Sequence, residues 1–208
     1  LSTAYANGLT SAINNTQAMN SALESAPALI TPFSDNSLSE QFAAVAKTIS
    51  VQAKLSTQRQ VFFVSMGGYD THDNQLTTHP ALLNTLAQGL SEFDSAMKEL
   101  DMADKVTTFT MSDFGRTLTS NGDGTDHGWA GNQIVMGGAV KGGNIYGELL
   151  TQHLDGAQDT GGGRLIPSVA NEQYFATLAQ WFGVPSSELV DIFPNLSNFD
   201  HTTLDFFV

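Results

Sequence analysis

The sequence predicts an α/β fold around a mostly parallel sheet, from two apolar runs and the helical pattern between them. Residues 61–66 and 106–111 are short stretches rich in apolar and β-branched side chains, as in strands that are buried on both faces. From residue 80 to residue 100, large apolar residues recur every three or four positions, which predicts an amphipathic helix. A strand, a helix and a strand in this order predict a right-handed βαβ unit.

Other segments extend this predicted fold. The run Ser37-Leu38-Ser39-Glu40 has the pattern of a capping box, which predicts the start of a helix whose apolar stripe covers the sheet. Ile134-Val135-Met136 predicts a third strand, and residues 170–182 predict a helix that ends at Gly183. The residues that we expect to be almost fully buried are Phe62, Val64, Leu86, Leu90, Phe93 and Phe109.

Length and composition predict a single domain over residues 1–208. The chain has 208 residues, of which 41% are hydrophobic, and this is enough to bury one sizeable core. No stretch approaches the ~20 consecutive apolar residues of a membrane-spanning helix, so we expect no membrane span. Acidic residues number 21 against 8 basic ones, for a net charge of −13. Because this charge repels a phosphate backbone, we expect no nucleic-acid partner.

The amino-acid usage and the first residue are compatible with export. The sequence has no cysteine, which excludes disulfides and thiolate metal sites and fits an exported protein without proving export. The sequence begins at Leu1 rather than at a methionine. We therefore expect either that an N-terminal portion was removed or that this is part of a longer protein.

Acidic and histidine side chains follow the two predicted strands and recur in a glycine-rich loop. Asp70 and His72 follow the first strand, Asp113 follows the second, and Asp126 and His127 lie in the loop. Because ligands bind at the carboxyl ends of parallel strands, we expect these side chains to meet if the two strands are neighbours. Carboxylate and imidazole groups together suit Zn²⁺, Mn²⁺ or Fe²⁺, whereas carboxylates alone suit Mg²⁺ or Ca²⁺. The pattern predicts a divalent-metal site.

The same residues allow other interpretations. Asp70 and Asp113 could cap the turns after the strands, and His72 and His127 could form hydrogen bonds to loops. Asp126 could bind the metal directly, or it could hold the ring of His127 from behind the site.

Arg116 is a candidate catalytic residue. It is one of three arginines in the chain, and its planar guanidinium could hold a phosphate or sulfate oxygen. A structural ion pair with Asp113 is the alternative. Residues 121–126 carry oxygen ligands at alternate positions like a calcium loop, but Asn132 stands where such a loop needs its closing glutamate. We therefore interpret residues 121–126 as a turn.

Four motifs in order give the chain a resemblance to a known family. They are GYDTHDNQ at residues 68–75, SDFGR at 112–116, GTDHG at 124–128 and GGAVKGG at 137–143. The later runs RLIP at 164–167, QYFATL at 173–178 and WFG at 181–183 continue the likeness. Over roughly residues 38 to 200, the chain resembles domain-of-unknown-function family 1501, which is grouped with the alkaline phosphatase-like superfamily.

The resemblance implies a fold, a location and a reaction. The fold implied is a three-layer α/β sandwich with a mostly parallel central sheet, and the location implied is periplasmic or extracellular, with the export signal ahead of this sequence. The reaction implied is hydrolysis at two metal ions, with a hydroxyl or modified cysteine near the start of the domain as nucleophile. Residues 1–37 show no such nucleophile, and Phe114 follows Asp113 where the superfamily usually has histidine or asparagine.

These observations predict a metal-dependent hydrolase of phosphate or sulfate esters, with a small-molecule or polymeric anionic ester as substrate. Because no nucleophile is recognisable, we interpret the chain as the C-terminal part of the domain and expect only trace hydrolysis from it. The alternative is a non-catalytic exported protein in which a degenerate metal site serves binding or assembly. Substrate identity depends on loops and is not predicted.

Overall fold

The protein is mainly helical in the computed structural model, which describes residues 2–55 and 57–208. The α-helices are α1 (Ser2–Glu24), α2 (Ser37–Ser50), α3 (Gln52–Leu55), α4 (Gln75–Glu99), α5 (Asn171–Phe182) and α6 (Leu189–Ile192). The strands are β1 (Thr108–Phe109), β2 (Gly115–Ser120), β3 (Thr125–Gly128) and β4 (Val135–Met136). Short 3₁₀ helices lie at Ala103–Lys105, Ser186–Glu188 and Pro194–Asn198.

The strands form two small antiparallel sheets instead of the predicted parallel one. Strand β1 pairs with β4, with Phe109 opposite Val135, and β2 pairs with β3, with Arg116 opposite His127. Each sheet has two strands within the described part of the chain. The prediction of a three-layer α/β sandwich with a mostly parallel central sheet is therefore wrong, and so is the predicted βαβ unit.

The first apolar run explains the error. Residues 61–66 belong to no strand, and Val61 and Phe63 are 78% and 82% exposed. A short apolar run signals β propensity, but a strand also needs a partner for its backbone hydrogen bonds. In contrast, β2 and β3 are joined by a turn in which the amide of Asn121 donates to the carbonyl of Gly124 over 3.1 Å. A local hairpin of this kind is necessarily antiparallel.

The chain divides into two compact units, and the first has a core made by helices. It comprises the described residues up to Gly67 together with Leu83–Met102. In it, Phe42 on α2 and Phe93 on α4 stack with ring centroids 4.9 Å apart. Leu38 lies over Gly89, where an added Cβ would stand 3.0 Å from its nearest methyl carbon. The apolar stripe of α2 therefore covers a helix and not a sheet.

The second unit comprises Gly68–Leu82 and Ala103–Val208, and α5 organises its core. Tyr174 and Leu178 pack with Phe206 in one cluster. The hydroxyl of Tyr174 donates to the carbonyl of Thr110 over 3.1 Å, and burial raises the pKa of this hydroxyl far above its ordinary value. Helix α5 ends at Gly183, which has a φ of 112°, as predicted. The single domain over residues 1–208 stays a prediction.

The predicted core is correct for Leu90 and Phe93 on α4, and wrong for Leu86 on the same helix and for the predicted strands. Leu90 and Phe93 are 8% and 3% exposed, and the ring of Phe93 stacks on Phe42 of α2. Phe62 and Phe109 are each 38% exposed, since the described residues form no large sheet that encloses them. Val64 and Leu86 are partly exposed. Among the described residues, no helix combines the length and the apolar character that crossing a membrane requires.

Leu90→Ala tests the helical core of the first unit. Leu90 is 8% exposed, so its truncation should lower the free energy of unfolding by about 2–5 kcal/mol. Leu83→Ala on the same helix is the matched control, because Leu83 is 47% exposed and should change stability by less than about 1 kcal/mol. Urea unfolding measures both. Equal effects of the two substitutions would contradict this packing of α4.

Glu99 adds a pH-dependent contribution to the stability of the first unit. Its carboxylate accepts hydrogen bonds from the amide of Ile30 over 2.7 Å and from the amide and hydroxyl of Thr31 over 2.8 and 2.6 Å. The Ile30 amide is the largest cause of a pKa of Glu99 below the ordinary value, and Thr31 adds to it. A carboxyl with a lowered folded-state pKa stabilises the fold above its unfolded pKa of ~4.3. This stabilisation disappears as the pH falls through the lower folded-state value.

Glu99→Gln should therefore destabilise the protein at neutral pH, and the difference from wild type should shrink in acid. Urea unfolding from about pH 7 to about pH 3 measures that difference. Glu24→Gln is the control, because Glu24 is exposed and accepts no hydrogen bond within residues 2–55 and 57–208. A difference that stayed constant with pH would contradict the role of the Glu99 carboxylate.

Candidate metal centre

The loop before α4 presents Asp70 and His72 on the same exposed side. Two tight turns shape the loop, since the amide of Thr71 donates to the carbonyl of Tyr69 over 2.9 Å and the amide of His72 donates to the carbonyl of Asp70 over 3.1 Å. Thr71 is 5% exposed and anchors the loop inward. Its two neighbours therefore point outward, with side chains 62% and 46% exposed.

The β2–β3 hairpin supplies the other half of the site. Arg116 on β2 lies opposite His127 on β3, and side chains of directly opposed residues lie on the same face of a hairpin. The turn of the hairpin also contacts the start of α4, because the carboxylate of Asp123 accepts from the amide of Asn74 and its carbonyl accepts from the amide of Gln75, each over 3.1 Å. These bonds hold the hairpin beside the loop that carries Asp70.

Gly124 permits the close approach of the turn and the loop. A Cβ at this position would lie 2.4 Å from the carbonyl oxygen of Thr71 and 2.4 Å from the carbonyl carbon of His72. Both atoms belong to the backbone and cannot move away as a flexible side chain could. Any residue larger than glycine would therefore push the hairpin away from the loop.

Asp70, His72 and His127 form a cluster of three potential metal ligands. The Oδ1 atom of Asp70 lies 3.0 Å from Nε2 of His72 and 2.7 Å from Nε2 of His127. One ligand atom from each residue lies within 4.8 Å of the other two. Ligands held about 2.0–2.2 Å from a tetrahedral zinc ion lie roughly 3.3–3.6 Å from each other, somewhat farther apart than these two contacts. The cluster therefore has the donor atoms and approximate spacing of a metal site.

Neighbouring groups keep the Asp70 carboxylate ionised. The hydrogen bond from His127 is the largest cause of a pKa of Asp70 below its ordinary value. The charges of His72, His127 and Arg116 lower this pKa further, while desolvation opposes them. A carboxylate must be ionised to bind a metal ion, and these contacts favour that form at neutral pH.

Aromatic stacking orients the ring of His127. The Phe114 ring lies parallel to the ring of His127, with centroids 3.9 Å apart and an interplanar angle of 4°. On the other side, the rings of His127 and His72 have centroids 4.8 Å apart and an interplanar angle of 29°. The three rings form a stack, which restricts rotation of His127 and directs its Nε2 toward Asp70.

Arg116 supports the loop and has few donors left for a substrate. Its guanidinium donates to the carbonyl of Thr125 over 2.7 Å, to the carbonyl of Tyr69 over 2.5 Å and to Oδ1 of Asp70 over 3.3 Å. Its side chain is 16% exposed. Arg116 therefore forms an ion pair with Asp70 and not with Asp113, the alternative partner. Within the described residues 2–55 and 57–208, Asp113 forms no hydrogen bond or ion pair.

The structure places the two remaining candidate ligands differently. Asp113 lies at a bend before β2 and does not belong to the cluster of three ligands found among the described residues. Asp126 lies on β3, with Oδ1 3.2 Å from Nδ1 of His72. It therefore contacts the ring nitrogen of His72 that faces away from Asp70, and it does not lie behind His127.

Phe114, Asn121 and Gly124 contribute to the site, and none of the three is among the site residues predicted from the sequence. Asn121 donates from Nδ2 to the carbonyl of His72 over 3.0 Å and to Oδ1 of Asp126 over 3.2 Å. Phe114 and Gly124 do lie within the motifs SDFGR and GTDHG. Their position next to the candidate ligands within those motifs is the sequence feature that could have indicated a role in the site.

Comparison with known proteins places the chain in a family. The family described as "Protein of unknown function (DUF1501)" matches residues 9–163, a range that includes Asp70, His72 and His127. No curated protein and no solved structure matches the chain. Because the match covers well over half of the 208 residues, the chain belongs to the DUF1501 family.

Proposed function

We propose that Asp70, His72 and His127 bind a divalent metal ion and that the site hydrolyses phosphate or sulfate esters. The convergence of two imidazole Nε2 atoms on one carboxylate oxygen, at 3.0 and 2.7 Å, is the observation that carries this proposal. Two nitrogens and one oxygen suit Zn²⁺, Mn²⁺ or Fe²⁺ better than Mg²⁺ or Ca²⁺, which prefer oxygen ligands alone.

The residues around the site fit such a metal ion. Asp70 is kept ionised by its neighbours, and the ring of His127 is held by Phe114 at a centroid distance of 3.9 Å. A bound metal ion would activate a water molecule and offset negative charge on the ester oxygens. The side chains of Asp70, His72 and His127 are 62%, 46% and 46% exposed, so that even a bulky ester can reach them.

The residues around the site orient the metal ligands and do not supply a covalent nucleophile. No serine or threonine hydroxyl forms a hydrogen bond with Asp70, His72 or His127 within the described ranges. The group that attacks the ester would then be water, which is a slower nucleophile than an activated side chain. Arg116 restrains the Asp70 carboxylate through a contact of 3.3 Å, which keeps Oδ1 directed at the two histidines.

The four motifs in order support a relation between this site and those of the alkaline phosphatase-like superfamily, and we include that relation in the proposal. It concerns the site residues and not the fold, because the part of the chain that the structure describes forms two small antiparallel sheets and no central parallel sheet. Export to the periplasm or the extracellular space stays a prediction, as does an anionic ester as the partner.

A second candidate function is metal binding without catalysis, in an exported protein that serves binding or assembly. Two observations favour it. Asp113 lies outside the cluster of ligands, so a second metal lacks one of its expected residues. The Arg116 guanidinium already donates to Thr125, Tyr69 and Asp70, so it is not a free cation for a developing negative charge.

Hydrolysis of p-nitrophenyl phosphate and p-nitrophenyl sulfate tests the first function. With Zn²⁺ or Mn²⁺ added, we expect slow turnover that a chelator removes and that Asp70→Ala and His127→Ala abolish. His153→Ala is the matched control, because His153 is an exposed loop histidine outside the cluster, and it should retain the wild-type rate.

Two results would contradict the hydrolase proposal. The first is hydrolysis that persists in Asp70→Ala or after chelation, which would come from a contaminant or from another site. The second is metal binding by the wild type with no metal-dependent hydrolysis of either ester, which would favour the non-catalytic function.

A further inference from the structure

We propose that Asp126 is a positioning residue that keeps the proton of the neutral His72 ring on Nδ1, so that the bare Nε2 faces Asp70. This assignment concerns the ring itself, and only its consequence for metal binding rests on the proposed function. It differs from the interpretations of Asp126 as a direct metal ligand or as a partner of His127.

The imidazole of His72 lies between two carboxylates. Its Nδ1 is 3.2 Å from Oδ1 of Asp126, and its Nε2 is 3.0 Å from Oδ1 of Asp70. A neutral imidazole carries one proton, while an ionised carboxylate accepts hydrogen bonds and donates none. One of the two contacts is therefore an N–H···O hydrogen bond, and the other brings a nitrogen lone pair toward an anionic oxygen.

The other partners of the two carboxylates decide which nitrogen carries the proton. Oδ1 of Asp70 already faces Nε2 of His127 at 2.7 Å and the guanidinium of Arg116 at 3.3 Å. Among the described residues, Oδ1 of Asp126 receives one other donor, the amide group of Asn121, at 3.2 Å. Since two cationic or potentially cationic groups already satisfy Asp70, the His72 proton gains more from Asp126.

The Asp126 carboxylate is held in place for this contact. Its backbone amide donates to the hydroxyl of Thr117 over 3.1 Å, and Thr117 is 6% exposed. Asn121 donates to the carbonyl of His72 over 3.0 Å as well as to Asp126. The side-chain amide of Asn121 thus binds both the Asp126 carboxylate and the backbone of His72. These two bonds fix the distance between the carboxylate and the His72 ring that it orients.

The arrangement leaves the Nε2 lone pair of His72 directed at Asp70. A histidine binds a metal through its unprotonated nitrogen, and a carboxylate that accepts from the other nitrogen fixes the tautomer and makes the ligand more basic. Two acceptor atoms 3.0 Å apart repel each other, and a cation between them would remove that repulsion. Asp126 therefore prepares His72 as an Nε2 ligand.

Nuclear magnetic resonance of the metal-free protein tests the tautomer directly. Two-bond ¹H–¹⁵N correlations distinguish Nδ1–H from Nε2–H, at a pH well above the ordinary histidine pKa of ~6.5. We expect His72 to be the Nδ1–H tautomer in the wild type and to shift toward Nε2–H in Asp126→Ala. Asp126→Asn retains an acceptor oxygen of similar shape and should lie between the two. Asp73→Asn removes the same charge from an exposed neighbour and should leave the tautomer unchanged.

Titration with Zn²⁺ alone, followed by calorimetry, tests the consequence. Asp126→Ala should bind zinc about 10–100-fold more weakly than the wild type, with Asp126→Asn intermediate and Asp73→Asn unchanged. Wild-type affinity in Asp126→Ala would overturn the inference, and so would an Nε2–H tautomer in the wild type or an unchanged tautomer in both Asp126 variants. A wild type that binds no zinc would instead overturn the proposed function, while the expected tautomer shift would still support the role of Asp126.

Discussion

The candidate site depends on one close contact between two stretches of backbone. Gly124, in the turn of the β2–β3 hairpin, lies against Thr71 and His72, where an added Cβ would be 2.4 Å from backbone atoms of both. Asp70 and His72 come from one side of this contact and His127 comes from the other. Their ligand atoms approach within 4.8 Å because the two backbones can touch, so the chemistry of the site depends on a residue with no side chain.

Polar contacts from both stretches then fix the ligands in this arrangement. Arg116 reaches from β2 to the carbonyl of Tyr69 and to the carboxylate of Asp70, and Asn121 reaches from the turn to the carbonyl of His72. The side chains of the candidate ligands Asp70, His72 and His127 are exposed, whereas that of Arg116 is mostly buried. Where the ligands are this exposed, a single ion pair contributes little to stability, so the effect of these contacts lies in geometry: they limit the positions that three exposed side chains can adopt.

The sequence predicted the helices and the candidate ligands better than the sheet, for physical reasons. Periodicity located α4 and α5 well, because the residues that set a helix face, such as Leu90, Phe93 and Tyr174, are close in the sequence. The run of residues 61–66 has strand-like composition, but composition does not specify a hydrogen-bond partner, and Phe63 is 82% exposed. The motifs identified Asp70, His72 and His127 as candidates. They did not indicate that Asp113 lies outside the cluster or that Arg116 pairs with Asp70, because those outcomes depend on the antiparallel hairpin.

X-ray absorption spectroscopy of the zinc-loaded protein tests whether two histidines and one aspartate bind a single metal ion. We predict zinc bonds to nitrogen and oxygen at about 2.0–2.2 Å, together with the outer-shell scattering of two imidazole rings. Substitution of either His72 or His127 by alanine should remove one of these two ring contributions. A zinc ion surrounded by oxygen alone, or an imidazole contribution unchanged in both variants, would contradict the site described by Asp70, His72 and His127.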